Sequence, residues 1–285
     1  ALAFSPDGSL LASAYAWTDS VIYLWDVATG HRLGQLEGLP RFAERLVFDP
    51  DGQTLYAAGS DGAIAVWDVP RCQPIGRLQG HVNAVAGLLV CPQARTLISA
   101  CYDGSIRLWD RPLHVRPPSK VVLPGQIGIY GSVFTADSRR LITASPAGPT
   151  TVWEVGTTNA LERITALGDH NRSVALSPDE RLLAVGGIDG ALRLWDLKNH
   201  RLIKQWSVSD SPIWKVQFLD GGRTLFSAAM PPGWRTEVKR WEVGSWKELS
   251  FGSMDLEACF GLAQSPDQEL FAVSYDSKPA TLWEA

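Results

Sequence analysis

Short runs of apolar or alternating residues, separated by turn-forming residues, recur along the whole chain. Residues 84–110 show the pattern most clearly: an apolar run over 84–90 is followed by β-rich runs over 96–101 and 105–109. Pro92 marks the first intervening turn, and Tyr102-Asp103-Gly104 forms the second. Runs of this length and spacing predict consecutive antiparallel β-strands.

The same unit repeats seven times. In each copy a tryptophan ends the third run and an acidic residue follows it; the tryptophans are Trp25, Trp67, Trp109, Trp153, Trp195, Trp241 and Trp283. Their spacings are 42, 42, 44, 42, 46 and 42 residues, and a turn such as SPDG lies about 20 residues before each one. A fourth, more polar run follows the tryptophan, most clearly over residues 201–208. Four strands in about 42 residues are typical of one propeller blade. The sequence therefore predicts an all-β, seven-bladed β-propeller over residues 1–285 as a single domain, whose last blade lacks its outer strand within this chain.

Two segments carry a resemblance to a known family. The stretch GHVNAVAGLLVCPQARTLISACYDGSIRLWD (80–110) and the stretch VALSPDERLLAVGGIDGALRLWD (174–196) resemble WD repeats. The resemblance extends over essentially the whole chain. It implies a propeller that binds other proteins, but it does not identify the partner.

The resemblance also implies a buried hydrogen-bond tetrad in the third repeat, formed by His81, Ser99, Asp103 and Trp109. Serine, histidine and aspartate together could instead suggest nucleophilic catalysis. We favour the structural interpretation, because each residue occupies a position set by the repeat and the tryptophan indole supplies a donor that a buried network must satisfy. In the other repeats parts of the tetrad are replaced, for example by Leu39 and Ala57 in the second and Val185 in the fifth.

Members of this family usually bind partners through the loops between blades and the turns between the second and third strands. Two of these turns are lengthened, and each carries a tryptophan outside the repeat set, Trp17 and Trp234. Aromatic residues and arginine are enriched at interface centres. The predicted partner-binding residues are Trp17, Phe42, Tyr102, His170, Ile188, Trp234, Arg235 and Tyr275. Several of them could instead cover neighbouring loops, and Trp206, Trp214 and Trp246, within predicted strands, are interpreted as blade packing.

Charge and cysteine content narrow the function classes. The net charge of −4 and the lack of a basic run argue against nucleic-acid binding, and no apolar stretch is long enough to span a bilayer. The four cysteines have no metal-ligand spacing, and Cys91 and Cys101 are expected at opposite ends of one hairpin, beyond disulfide reach. Four free thiols favour a reducing compartment, and we expect a cytoplasmic protein.

Together these observations predict a non-enzymatic docking or sensor domain that binds a protein or peptide on its loops, without cofactor or metal. We expect a monomeric domain within a longer polypeptide or a larger complex. The alternative is a propeller enzyme with a metal or small ligand in its channel, and the same loops could hold a modified peptide. The sequence contains no HExxH motif, no phosphate-binding glycine loop and no regularly repeated histidine, which are the patterns that would favour an enzyme.

Overall fold

The computed structural model describes residues 1–14, 21–39, 42–91, 96–110, 119–122, 128–155, 157, 159–229, 236–250, 259–275 and 280–284. At residues 119–122, 259, 260 and 275 it describes the backbone alone. The described chain is all-β and forms seven antiparallel sheets, six of four strands and a last one of three. Each sheet is one blade, so the predicted seven-bladed fold is confirmed.

The chain divides into two compact units, and the first comprises Ala1–Val121 with Cys259–Ala285. Blade 1 contains β1 (Leu2–Phe4), β2 (Leu10–Ala14), β3 (Ile22–Asp26) and β4 (Arg32–Leu36). Blade 2 contains β5 (Ala43–Phe48), β6 (Thr54–Gly59), β7 (Ile64–Asp68) and β8 (Gln73–Leu78). Blade 3 contains β9 (Val85–Cys91), β10 (Thr96–Cys101), β11 (Ser105–Asp110) and β12 (Ser119–Val122). Blade 7 contains β25 (Cys259–Gln264), β26 (Leu270–Tyr275) and β27 (Thr281–Glu284).

The second unit is Val122–Ala258. Blade 4 contains β13 (Gly131–Phe134), β14 (Arg140–Ser145), β15 (Gly148–Glu154) and β16 (Ala160–Ile164). Blade 5 contains β17 (Asn171–Leu176), β18 (Leu182–Gly187), β19 (Ala191–Asp196) and β20 (Arg201–Ser207). Blade 6 contains β21 (Ile213–Leu219), β22 (Thr224–Ala229), β23 (Glu237–Glu242) and β24 (Glu248–Leu249). Two 3₁₀ turns, Thr165–Leu167 and Asp220–Gly222, are the only helical segments in the described chain, and neither could span a bilayer.

Burial follows the order of the strands in a blade. The second strand is almost wholly buried, as in β10 and β22, whereas the fourth is mostly exposed, as in β8 and β20. Apolar clusters form between adjacent blades: blades 1 with 2 and 2 with 3 in the first unit, and blades 4 with 5 and 5 with 6 in the second. Both faces of an inner strand are therefore covered, which explains the continuous apolar runs in the sequence.

The repeat tryptophans hold the second and third strands together by a recurring hydrogen bond. The indole N–H of Trp25 donates to Ser13 at 2.8 Å, and that of Trp109 donates to Ser99 at 2.9 Å. Trp153 donates to Thr143 at 2.8 Å and Trp241 to Ser227 at 2.9 Å in the same way. A serine or threonine in the middle of the second strand is thus an acceptor for the indole.

Three blades, the second, fifth and seventh, have an aliphatic residue at this position. In blade 2, where Ala57 stands, the Trp67 indole donates instead to the carbonyl oxygen of Glu37 at 3.1 Å. In blade 5, where Val185 stands, the buried indole nitrogen of Trp195 has no hydrogen-bond partner among the described residues. The hydroxyl is therefore replaced by a carbonyl oxygen in blade 2 and has no counterpart in blade 5.

Blade 7 is the third case. Val273 stands at the acceptor position, and the Trp283 indole donates instead to the hydroxyl of Thr281 in its own strand at 2.7 Å.

The cysteine positions agree with the predicted hairpin. Cys91 pairs with Thr96 and Cys101 pairs with Val85, so the two thiols lie at opposite ends of β9 and β10. Cys72, Cys91 and Cys101 are free thiols. The side chain of Cys259 lies outside the described residues.

The sequence prediction for the three extra tryptophans is partly wrong. Trp206 lies in β20 and Trp214 in β21, as predicted. Trp246 instead lies in the turn between β23 and β24, with a φ of 57°. It still packs against a neighbouring blade, with its ring centroid 6.2 Å from that of Trp206.

The indole–hydroxyl bond can be tested with a pair of isosteric substitutions. Thr143→Val should lower stability by about 1–3 kcal/mol, because it leaves the buried Trp153 donor without an acceptor. Val185→Thr should leave stability unchanged or raise it, because it supplies an acceptor to Trp195 without changing side-chain volume. Urea unfolding, followed by tryptophan fluorescence, measures both. A Val185→Thr variant less stable than Thr143→Val would show that the bond contributes little.

Candidate functional site

Blade 3 contains a buried hydrogen-bond network centred on His81. The Nε2 atom of His81 lies 2.7 Å from the hydroxyl oxygen of Ser99, which also accepts the indole N–H of Trp109. The Nδ1 atom lies 3.0 Å from the hydroxyl oxygen of Ser105 and 3.5 Å from a carboxylate oxygen of Asp103. The structure thus brings His81, Ser99, Asp103 and Trp109 together and adds Ser105 as a fifth member.

Ser105 was not identified from the sequence. Its backbone N–H donates to Asp103 at 2.8 Å, and its hydroxyl donates to the same carboxylate oxygen. An aspartate that accepts the N–H two residues later is a common turn feature, so the Asp-Gly-Ser sequence carried a signal for this contact. The histidine therefore bonds to a serine that the aspartate orients.

The network also joins two loop segments. One is residues 81–84, which lead from blade 2 into β9, and the other is the turn between β10 and β11. Asp103 accepts the backbone N–H of Val82 at 3.2 Å, and the N–H of Tyr102 donates to the carbonyl of Ala84 at 3.0 Å. The thiol of Cys101 donates to the carbonyl of Asn83 at 3.0 Å. Buried side chains thus hold the backbone of both segments at the end of the blade.

Burial and hydrogen bonding act in opposite directions on Asp103. Burial disfavours its charged form, but hydrogen bonds from the side chain and backbone of Ser105 and from Val82, together with nearby His81, lower the pKa to about 2. Burial raises the pKa of Cys101 to about 12. At neutral pH the site therefore contains a carboxylate and a protonated thiol.

This arrangement is suited to structural support rather than to catalysis. Ser99 is fully buried and already accepts the indole N–H, so its hydroxyl is out of reach of a substrate. Ligand atoms of His81, Cys101 and Asp103 lie within 4.8 Å of one another. However, both ring nitrogens of His81 are engaged in hydrogen bonds and the Cys101 thiol donates to the carbonyl of Asn83, so a metal would have to displace these bonds.

Four of the sequence-predicted binding residues lie on described loops. In blade 5 the backbone N–H of Ile188 donates to the carbonyl of His170 at 2.8 Å, which brings these two residues together. Both are exposed, whereas Phe42 and Tyr102 are only partly exposed. Phe42 is held by the backbone N–H of Ser60 at 3.2 Å in blade 2.

The remaining predicted residues cannot be placed in the site. Trp17, Trp234 and Arg235 lie outside the described residues, and Tyr275 is described by its backbone alone, at the end of β26. The expected approach of the two lengthened turns therefore stays a prediction.

Two loop features were missed by sequence reasoning. Val82 directly follows the network histidine, and its exposed fraction is 85%, the largest of any described large apolar residue. Tyr130, at the entry to blade 4, has the Arg172 guanidinium carbon 6.0 Å from its ring centroid. The sequence did carry a signal for these two residues, namely their position in the repeat. Val82 and Tyr130 each lie in the segment that leads into the first strand of a blade.

Comparison with protein families gives two matches. The family model "WD domain, G-beta repeat" matches residues 1–26, 43–68 and 72–110. The model "Anaphase-promoting complex subunit 4 WD40 domain" matches residues 147–220. Together they cover more than half of the chain, in both units.

Removing the central histidine should destabilise the protein. His81→Ala removes the imidazole partner of the buried Ser99 and Ser105 hydroxyls. Ser99 keeps only the bond from the Trp109 indole, and the lost pairing should cost about 1–3 kcal/mol. His31→Ala, which removes an exposed histidine in the same unit, should change stability by less than about 0.5 kcal/mol. Chemical denaturation of both variants provides the measurement. Equal effects would mean that the network does not stabilise the blade.

Asp103 should make the stability depend on pH in the acid range. Because its folded pKa of about 2 lies below the ordinary 3.8, the carboxylate stabilises the fold above about pH 4 and loses this effect as the pH falls towards 2. Asp103→Asn should therefore have a lower melting temperature than the wild type at pH 5. The difference should shrink between pH 4 and pH 2, and a constant difference would contradict the assignment.

Proposed function

The chain belongs to the WD-repeat β-propeller family, and we propose that it binds a protein or peptide partner on its loop face. We define the loop face as the ends of the blades that carry the segments between successive blades and the turns between the second and third strands. Propellers of this family generally act as protein-interaction scaffolds and are typically non-enzymatic. The face used and the contact residues are our proposal.

The observation that carries the proposal is the combination of exposure and rigidity at Val82. Its side chain is 85% exposed although it is apolar, and its backbone N–H is bound by the partly buried carboxylate of Asp103. A partner that covers Val82 would gain apolar burial without having to order the loop first. The half-buried Tyr102, whose N–H is fixed by Ala84, lies on the adjacent turn and adds aromatic surface.

Blade 5 offers a similar arrangement in the second unit. His170 and Ile188 are exposed and joined through their backbones at 2.8 Å. Ile188 is 36% exposed, so the apolar surface is smaller than at Val82. An apolar residue beside a hydrogen-bonding imidazole suits the centre of a peptide-binding surface, which needs both buried area and polar contacts.

The lengthened turns, one in the first unit and one in the second, are proposed as further binding segments. Trp17 belongs to one insertion, and Trp234 and Arg235 belong to the other. The repeat does not require these three residues, and tryptophan and arginine are among the residue types that most often dominate binding energy. We therefore propose them as further contacts. Phe42 and Tyr275 are proposed as contacts together with them.

Two other features support a partner-binding protein of the reducing cytoplasm. Cys91 and Cys101 are buried free thiols, which is the usual state in a reducing compartment. The net charge of −4 disfavours a polyanionic partner. A protein or peptide is thus the partner class that these properties support best.

A charge introduced at Val82 should weaken binding without unfolding the protein. Val82→Asp places an unpaired carboxylate in a buried position only when the partner is bound, so we expect at least a thirtyfold loss of affinity, about 2 kcal/mol. The partner is first isolated by cross-linking, and its affinity is then measured by calorimetric titration. Ile75→Asp is the matched control, because Ile75 is 59% exposed on the fourth strand of blade 2, away from the loop face.

The same assay examines the insertions. The double substitution Trp17→Ala with Trp234→Ala should weaken binding by a comparable factor while the circular dichroism spectrum is retained. The proposal would be wrong if Val82→Asp and the double variant both bound the partner as tightly as the wild type while Ile75→Asp did not. That result would place the site on the outer strands.

A further inference from the structure

A cleft in the second unit lies away from the loop face. It has a volume of about 390 Å³ and lies between the sheet of blade 4 and two turns of blade 5. These turns connect β17 to β18 and β19 to β20, so they lie at the opposite end of the strands from the loop face. A ligand here would bind independently of a partner on the loops.

The floor of the cleft is apolar. Ile142 and Val152, from the two central strands of blade 4, are 1% and 5% exposed, and Leu197 of blade 5 is partly buried. A volume near 400 Å³ with an apolar floor falls in the size range of small-ligand and side-chain pockets. The floor therefore suits an aliphatic group.

The acidic groups of the rim are already engaged in contacts between the two blades. Glu162 of blade 4 lies 3.0 Å from the Nδ1 atom of His200 of blade 5. Glu180 of blade 5 accepts the backbone N–H of Ala136 of blade 4 at 2.5 Å. The two carboxylates thus help to fix the width of the cleft.

Two of these groups occupy a conformation that favours glycine. Glu180 has a φ of 57° in the turn where Gly8 and Gly52 stand in blades 1 and 2, and His200 has a φ of 49°. Ser138 has the same positive φ at the equivalent position of blade 4, so this conformation belongs to the repeat turn and not to the cleft.

The basic groups of the rim remain available. Arg140 and Lys198 line the cleft and are exposed. Within the described residues neither side chain donates a hydrogen bond or forms an ion pair, and the charge of Arg140 acts on Asp137 only at longer range. Asp196 fixes the turn that carries Lys198 by accepting its backbone N–H at 3.0 Å. The position of the lysine is therefore set by the acid that follows the repeat tryptophan.

From this arrangement we infer that the cleft binds a carboxylate attached to an aliphatic side chain, as in a peptide. Arg140 and Lys198 hold the carboxylate, and the aliphatic group lies on Ile142, Val152 and Leu197. Glu162 and Glu180 disfavour a polyanion, because they place two negative charges on the same rim. The carboxylate could come from a chain terminus, as in a terminal leucine, or from an acidic side chain next to an aliphatic one.

Three small probes test the inference on the intact chain by methyl NMR. N-acetyl-leucine carries a terminal carboxylate, N-acetyl-glutamyl-leucinamide carries a side-chain carboxylate, and N-acetyl-leucinamide carries neither. At least one of the first two should shift the methyl signals of Ile142, Val152 and Leu197, with a dissociation constant of about a millimolar, which is reasonable for so few atoms. The probe that binds more tightly identifies the source of the carboxylate.

Matched variants complete the experiment. Arg140→Gln with Lys198→Gln should weaken binding at least tenfold, whereas Arg139→Gln, which removes an exposed charge from the neighbouring position outside the lining, should not. The inference is overturned if neither carboxylate probe shifts these methyl signals, or if the uncharged amide binds as tightly. It is also overturned if the double variant binds like the wild type or no more weakly than Arg139→Gln.

Discussion

The hydrogen bond from a tryptophan indole to a hydroxyl on the adjacent strand is the interaction on which four of the seven blades depend. It links the end of the third strand to the middle of the second, as between Trp153 and Thr143, in the most buried layer of the sheet. Leaving such a donor unpaired is costly in a dry interior. In the blades that have it, the bond therefore favours one register of the second and third strands.

In blade 3 this bond is extended into a network that reaches the surface. Ser99 connects Trp109 to His81, and His81 connects in turn to Ser105 and Asp103. The final link is the carboxylate that binds the backbone of Val82. A loop held in this way is ordered before any partner binds, which would reduce the entropy lost on association at the proposed site.

Much of this could be predicted from the sequence, because the repeat constrains buried positions strongly. β10 begins and ends where the β-rich run predicted, at Thr96 and Cys101, and the family resemblance identified four members of the network. Trp246 was misassigned, since an aromatic residue alone does not distinguish a strand from a turn stabilised by packing. Val82 was missed because exposure of one loop side chain depends on its neighbours in space. The cleft was missed for the same reason, as Arg140 and Lys198 meet only after blades 4 and 5 pack together.

The most direct test of this account is amide hydrogen exchange resolved by NMR. In blade 3 the N–H of Val82 donates to Asp103 and the N–H of Tyr102 donates to Ala84, and the buried network supports both bonds. In blade 2 the N–H of Ser60 donates to Phe42 without such a network, because Leu39 stands in place of the histidine. We expect slower exchange at Val82 and Tyr102 than at Ser60, and loss of this difference in His81→Ala. Equal exchange rates in the wild type, or rates unchanged by the substitution, would contradict the claim that the network holds the segment around Val82.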